Sequence, residues 1–119
     1  MITDNQTTEG DLILVTCAFP FDADAEIVAR ELVLQRLATA VHVTPTASHF
    51  SWDGEQKQVS EYVLDAKTRR GLFLRVVAAI KAHHTYVLPG ISFTALAGGT
   101  DEYLNWIRAS LVGDGVSNA

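Results

Sequence analysis

With 119 residues the chain has the length of one domain, and at 48% hydrophobic residues it can bury a core without cross-links. A formal charge of −5, from 14 acidic against 9 basic side chains, disfavours a nucleic-acid or membrane partner, since both are held by clustered Lys and Arg. The single cysteine excludes an internal disulfide and a multi-cysteine metal cage, and no apolar run approaches the ~20 residues that cross a bilayer.

Residues 1–10 are polar and acidic, with neither the basic start nor the apolar centre of a secretory signal, so a flexible segment and a cytoplasmic location are expected. Leu12-Ile13-Leu14-Val15 is a continuous apolar run, as in a strand at the centre of a sheet. Pro20 and Asp22 punctuate it. A helix of about four turns follows, with Asp22 or Asp24 as its cap and Ala25, Ala29, Leu32, Val33 and Leu37 at helical spacing. From Ala40 to Trp52 the period changes to that of a strand. Pro45 cannot donate to a ladder, so this strand lies at an edge or is bulged there.

Asp53-Gly54 is a strong hairpin signal, and the return strand runs from Gln56 to Thr68. So long a ribbon on so small a domain leaves edges that invite pairing with a neighbouring subunit. Arg69 to His84 reads as the second helix, on the stripe Leu72, Phe73, Val76, Val77 and Ile80. Ile91 to Ala97 is a short last strand. Thr100 caps a third helix, with Asp101 and Glu102 against its dipole and Leu104, Ile107 and Leu111 on its buried face. The order is that of an α+β, ferredoxin-like βαββαβ antiparallel sheet with a long central hairpin and an extra C-terminal helix. One domain over 11–112 and a flexible tail over 113–119 complete the expectation.

These residues resemble the CutA divalent-cation tolerance family over nearly the whole chain. The likeness rests on Val15-Thr16-Cys17, Leu37-Ala38, Ala40-Val41, and Ser48, Trp52 and Gly54 at the hairpin tip. Glu61 and Lys67-Thr68 extend it, and so do His84, Tyr86 and Pro89 of a His-Pro-Tyr-x-x-Pro-Glu motif, with Tyr103-Leu104, Trp106 and Ser110-Leu111. Thr85 departs from the motif's proline, Gly90 from its glutamate and His42 from a usual asparagine; Phe50 stands where tyrosine is common. The resemblance implies a homotrimer like the PII-type signalling proteins, a role in divalent metal tolerance, copper especially, and no catalytic activity.

Cys17, His83 and His84 are the soft or borderline ligands that the family pattern brings together, and thiolate with imidazole suits copper or zinc. Neighbouring helical residues point about 100° apart, so both histidines rarely ligate one ion and ligands from several subunits are more plausible. The bland readings are a buried Cys17, His84 as a helix C-terminal cation, an exposed His83, and His42 and His49 as incidental strand residues. Trp52 reads as packing against a neighbouring subunit, and Tyr86 and Tyr103 as anchors of the last helix in preference to lining a cleft. Asp65 in an apolar strand needs solvent or a partner.

Two other functions compete with metal response. One is a PII-like module binding a small anionic metabolite between subunits through Lys67, Arg69 and Arg70; the other is a trimeric scaffold. An acylphosphatase is excluded, because Ala18-Phe19-Pro20-Phe21-Asp22 is no phosphate loop. An RNA-recognition sheet is excluded because Leu12 to Val15 carries no aromatic residue.

Overall fold

The computed structural model describes residues 11–113; the expected flexible segment 1–10, and the tail beyond Gly113, lie outside the described residues. The elements are β1 (Leu12–Phe19), α1 (Asp22–Leu34), β2 (Thr39–Trp52), β3 (Glu55–Arg69), a single 3-10 turn (Arg70–Leu72), α2 (Phe73–Lys81), β4 (Ser92–Ala95) and α3 (Asp101–Ser110). The four strands form one sheet in the order β2-β3-β1-β4 with every pair antiparallel, the expected ferredoxin-like arrangement. No described helix is long and apolar enough to cross a membrane.

Alternation sorts the sheet into two faces. Ile13, Val15, Cys17 and Phe19 of β1 stand opposite Thr68, Ala66, Leu64 and Tyr62 of β3 on the covered face. They join one core with Ala25, Val28 and Leu32 of α1, and with Leu72, Val76 and Ile80 at four-residue spacing through α2. The buried Thr68 hydroxyl is satisfied by donating to the Leu37 carbonyl at 2.7 Å. The other, more open face carries Leu14, Thr16 and Ala18 beside Lys67, Asp65 and Val63, and α3 reaches it where Tyr103 meets Lys67. Asp65 finds its partner there, accepting from the Thr16 hydroxyl at 2.8 Å.

Several boundaries differ from expectation for local reasons. Phe21 occupies the α1 N-cap without a side-chain bond, and Asp22 and Asp24 fall in the first turn, where their charge meets the helix dipole. Val33, expected in the α1 stripe, is exposed because the buried line runs through Ala25, Val28 and Leu32. Strand β3 continues through Arg69, which delays α2. The helix ends at Lys81, where the His83 N–H tightens the last turn by bonding the Ile80 carbonyl at 3.1 Å. The two histidines therefore lie beyond the helix. Pro45 sits on the edge strand as expected, but the register shift lies between Thr39 and His42, with Ala40 at φ 52°. β4 is shorter than expected, and Thr100 caps α3 by accepting from the Tyr103 N–H at 3.3 Å.

Two left-handed turns shape the chain. Asp53 and Gly54, at φ 52° and 77°, close the hairpin in two residues, the pattern of a type I′ turn. Arg36 at φ 58° ends α1: its N–H bonds the Val33 carbonyl and the Leu37 N–H bonds the Leu32 carbonyl, a Schellman closure with arginine in the usual place of glycine. The Arg36 guanidinium then donates to the carbonyls of Ser110, Ala109 and Leu111 at 3.2, 3.2 and 3.3 Å. One residue thus terminates α1 and satisfies the last carbonyls of α3. Arg36→Ala should cost about 1–2 kcal/mol in denaturant unfolding at matched protein concentration, as charge-assisted bonds are lost. Arg36→Gly should recover part of that through its ease at positive φ.

Candidate functional site

β3 is 15 residues long and β1 is 8, so β3 runs past the end of its core partner. The β1 ladder stops at Phe19 opposite Tyr62. Beyond it, residues 46–61 form a two-stranded ribbon in which, among the described residues, each strand pairs with the other alone. Glu61 is the first β3 residue outside the core ladder. Its side chain shares the more open face with Lys57 and Val59, and with Thr46, Ser48, Phe50 and Trp52 across the ribbon.

The segment between α2 and β4 folds over the end of β1 and closes the corner. His84 holds it: Nε2 lies 2.7 Å from the Ala18 carbonyl, and Nδ1 lies 3.2 Å from the Tyr86 N–H. A carbonyl accepts and a backbone N–H donates, so the proton is on Nε2 and the Nδ1 lone pair is taken. The imidazole packs on the Phe19 ring at 4.5 Å and the Tyr86 ring at 5.0 Å. From this anchor the Tyr86 hydroxyl donates to Glu61 Oε2.

The result is a cleft of about 690 Å³ between ribbon and loop. Glu61 and Tyr86 line its inner end with Ala18 and Val59; Phe50, Trp52 and Lys57 line the outer end, and Val87 and Leu88 the loop side. Glu61 is 5% exposed, with no hydrogen-bond donor besides Tyr86 among the described residues. Lys57 turns its ammonium to Glu55 at 3.0 Å. Desolvation, then the hydrogen bond to Glu61 and its charge, pushes the Tyr86 hydroxyl up from 10.0 to about 12. Burial, and then the same carboxylate, pushes the Cys17 thiol up from 9.0 to about 12. Gly90 also lines the cleft, and a Cβ there would meet nothing within 4 Å, so packing does not forbid a side chain in place of the motif's glutamate.

The sequence-derived metal residues do not converge within the subunit. Cys17 is 1% exposed in the core, and its raised thiol resists becoming the thiolate that a metal needs. His84 has both ring nitrogens engaged. His83 is half-buried, contrary to the exposed reading, and its Nε2 lies 3.3 Å from Glu31 Oε2 of α1. No three His, Cys, Asp or Glu side chains gather around a common point among the described residues. A copper or zinc chelate of Cys17, His83 and His84 therefore does not fit one subunit. The basic trio also disperses: Arg69 donates to the Val112 carbonyl at 2.8 Å, Arg70 lies 4.8 Å over Phe93, and Lys67 5.9 Å over Tyr103.

Tyr86, expected to anchor the last helix, instead lines the cleft and binds β3. Tyr103 stacks on Trp106 within α3. Sequence reasoning assigned Glu61 no role. Its available signal was a lone carboxylate in phase with Val59 and Val63, where alternation expects an apolar side chain.

The family model of the CutA1 divalent ion tolerance protein matches residues 13–110. The chain belongs to the CutA1 divalent ion tolerance family. Its similarity to the divalent-cation tolerance protein CutA of Archaeoglobus fulgidus is 34% identity over 84 residues, 71% of this chain and 82% of that protein. To CutA of Thermus thermophilus it is 34% over 99 residues, 82% and 94% of the two chains. The solved Thermus thermophilus structure matches with a TM-score of 0.81 at 32% identity, covering 85% of this chain and 99% of that one. CutA1 from Oryza sativa matches with a TM-score of 0.82 at 27% identity over 89% and 98%. Within the CutA1 frame, the His-Pro-Tyr-x-x-Pro-Glu segment is the loop that closes the cleft: His84 pins it, Tyr86 reaches Glu61, and Gly90 leaves open the place of its final carboxylate.

The raised Cys17 and Tyr86 pKa values set an alkaline limit. Between about 9 and 12 the folded chain keeps both protons while the unfolded chain loses them, so stability is intact below about 9 and falls as pH rises through that window. Cys17→Ala should lower stability at neutral pH by a small cavity cost and flatten the alkaline fall, measured by chemical denaturation at stepped pH.

Proposed function

We propose that this CutA1-family chain acts in divalent-cation tolerance as a non-catalytic, cytoplasmic homotrimer that meets the cation, copper among them, where subunits come together. The observation that carries the reading is the ribbon of residues 46–61, which has no third strand among the described residues. A two-stranded ribbon is marginal in water and invites a further partner. Its tip exposes Trp52 at 47%, and the adjoining loop exposes Val87 at 98% and Leu88 at 67%, a concentration of apolar surface that marks a contact site. Family membership supports the tolerance role. A structure described as a periplasmic divalent cation tolerance protein CutA comes from Archaeoglobus fulgidus. The cytoplasmic placement belongs to the proposal and differs from that description.

Of the three sequence-derived ligands, His83 alone keeps an uncommitted ring nitrogen, and Glu31 lies beside it. Two donors at a half-exposed position make a weak site unless a second subunit adds others. The anionic-metabolite reading is disfavoured because Lys67, Arg69 and Arg70 face three different partners.

Native mass spectrometry should find a species of three times the 12.9 kDa chain mass, shifted to smaller species by Trp52→Ala. A monomer at micromolar concentration would overturn the assembly. Copper titration of the reduced, metal-free protein should weaken at least about tenfold on His83→Ala and stay unchanged on Cys17→Ala, because a buried thiol of raised pKa is a poor ligand. The opposite pattern would restore Cys17 as the ligand.

A further inference from the structure

Glu61 is a nearly buried carboxylate whose one donor among the described residues is a neutral hydroxyl, Tyr86. A carboxylate taken out of water is costly unless a cation or several donors compensate it. The cation nearest along the wall, Lys57, is committed to Glu55. Tyr86 engages Oε2, leaving Oε1 without a partner among the described residues, and Glu61 still lines the cleft. The charge is felt locally, since it helps to raise both Tyr86 and Cys17.

The walls leading from Glu61 are mainly apolar, with Lys57 and Thr85 as their polar members. Along β3 the more open face passes from Glu61 to Val59 to Lys57, with Phe50 opposite Lys57 and Trp52 opposite Glu55. At about 3.3 Å per residue, Phe50 stands roughly 13 Å and Trp52 roughly 20 Å from the carboxylate. Val87 and Leu88 face this path from the loop. The volume is that of an ordinary small-molecule site. Its acidity is one-ended: a carboxylate lies at the inner end, aliphatic side chains come next, then aromatic rings beside Lys57, whose ammonium turns to Glu55.

We propose that this cleft binds an elongated organic cation, a primary or secondary ammonium on an apolar body, with its N–H groups on Glu61 and its tail laid along Val59 towards Phe50. This site is independent of the divalent cation and does not use His83. It deepens the assembly reading in so far as a second copy beside the ribbon would narrow the cleft's open side.

The test is calorimetric titration of the full chain with 4-phenylbutylamine, 4-phenylbutanol and 4-phenylbutyrate, three probes of one length that differ in the charge of the head. Light scattering on the same samples reports the assembly separately. The amine should bind at least tenfold more tightly than the alcohol, with the carboxylate weakest. Glu61→Gln should remove that preference, and Phe50→Ala should weaken amine and alcohol alike. Tyr86→Phe, which frees the second carboxylate oxygen, should retain amine binding and guards against a Glu61→Gln chain that fails to fold. Benzylamine, too short to reach Phe50, should bind less tightly and be insensitive to Phe50→Ala. Equal binding of amine and alcohol, or preference for the carboxylate, would overturn the proposal. So would absence of binding by all three to an intact trimer, since the cleft would then be filled by a second copy. A monomer that still binds the amine would sink the assembly reading and leave this one standing.

Discussion

Strand β3 performs two jobs, and the rest of the structure follows from where it changes from one to the other. From Tyr62 to Arg69 it pairs with β1 in the core, and from Glu55 to Glu61 its one partner among the described residues is β2. A backbone leaving a sheet exposes a row of polar groups and strips one face of its neighbours. The chain manages this transition with a loop that folds back over the end of β1 and is pinned there by His84 and Tyr86. The cleft is the space those two features leave between them.

The chemistry of that corner is electrostatic before it is anything else. Burial raises the pKa of a tyrosine on the loop and of a cysteine in the core, and one carboxylate, nearly removed from water, raises both further. Two of the three residues that looked most like metal ligands, Cys17 and His84, are spent on structure, and the third, His83, keeps one ring nitrogen uncommitted. His84 ties its own loop to the end of β1 through one nitrogen and braces the loop at Tyr86 through the other, His83 links the segment after α2 to α1, and Cys17 packs under the helices. A metal function in this family member is therefore argued for the meeting of subunits, and the cleft's own one-ended acidity points to a different kind of cation.

Much of the fold was legible because it is written in local periods and turn chemistry. The apolar run of β1, the Asp53-Gly54 turn and the Thr100 cap each depend on a few consecutive residues, and each stood where expected. The boundaries that moved did so through tertiary contacts. α2 starts late because β3 continues through Arg69, and it ends early because the chain must turn to cover β1. The candidate site was far less legible. Glu61 matters because of a partner 25 residues downstream and a ladder that happens to end beside it. Arg36 likewise acts on carbonyls 73 to 75 residues away. The Arg36 relation leaves no periodic mark, and Glu61 leaves only a carboxylate out of place in the strand alternation. The histidine pair was conspicuous in sequence, and in the fold its two rings turn to different partners, His83 to Glu31 and His84 to the Ala18 carbonyl.

The central claim is that the ribbon is incomplete in one subunit and is completed by another copy. Amide hydrogen exchange across residues 46–61, followed over a dilution series with the core amides of β1 as an internal reference, tests it most directly. The account expects slow exchange in the ribbon at high concentration that accelerates on dilution, while the β1 amides stay protected. Ribbon exchange that is independent of concentration, whether fast throughout or slow throughout, would contradict it.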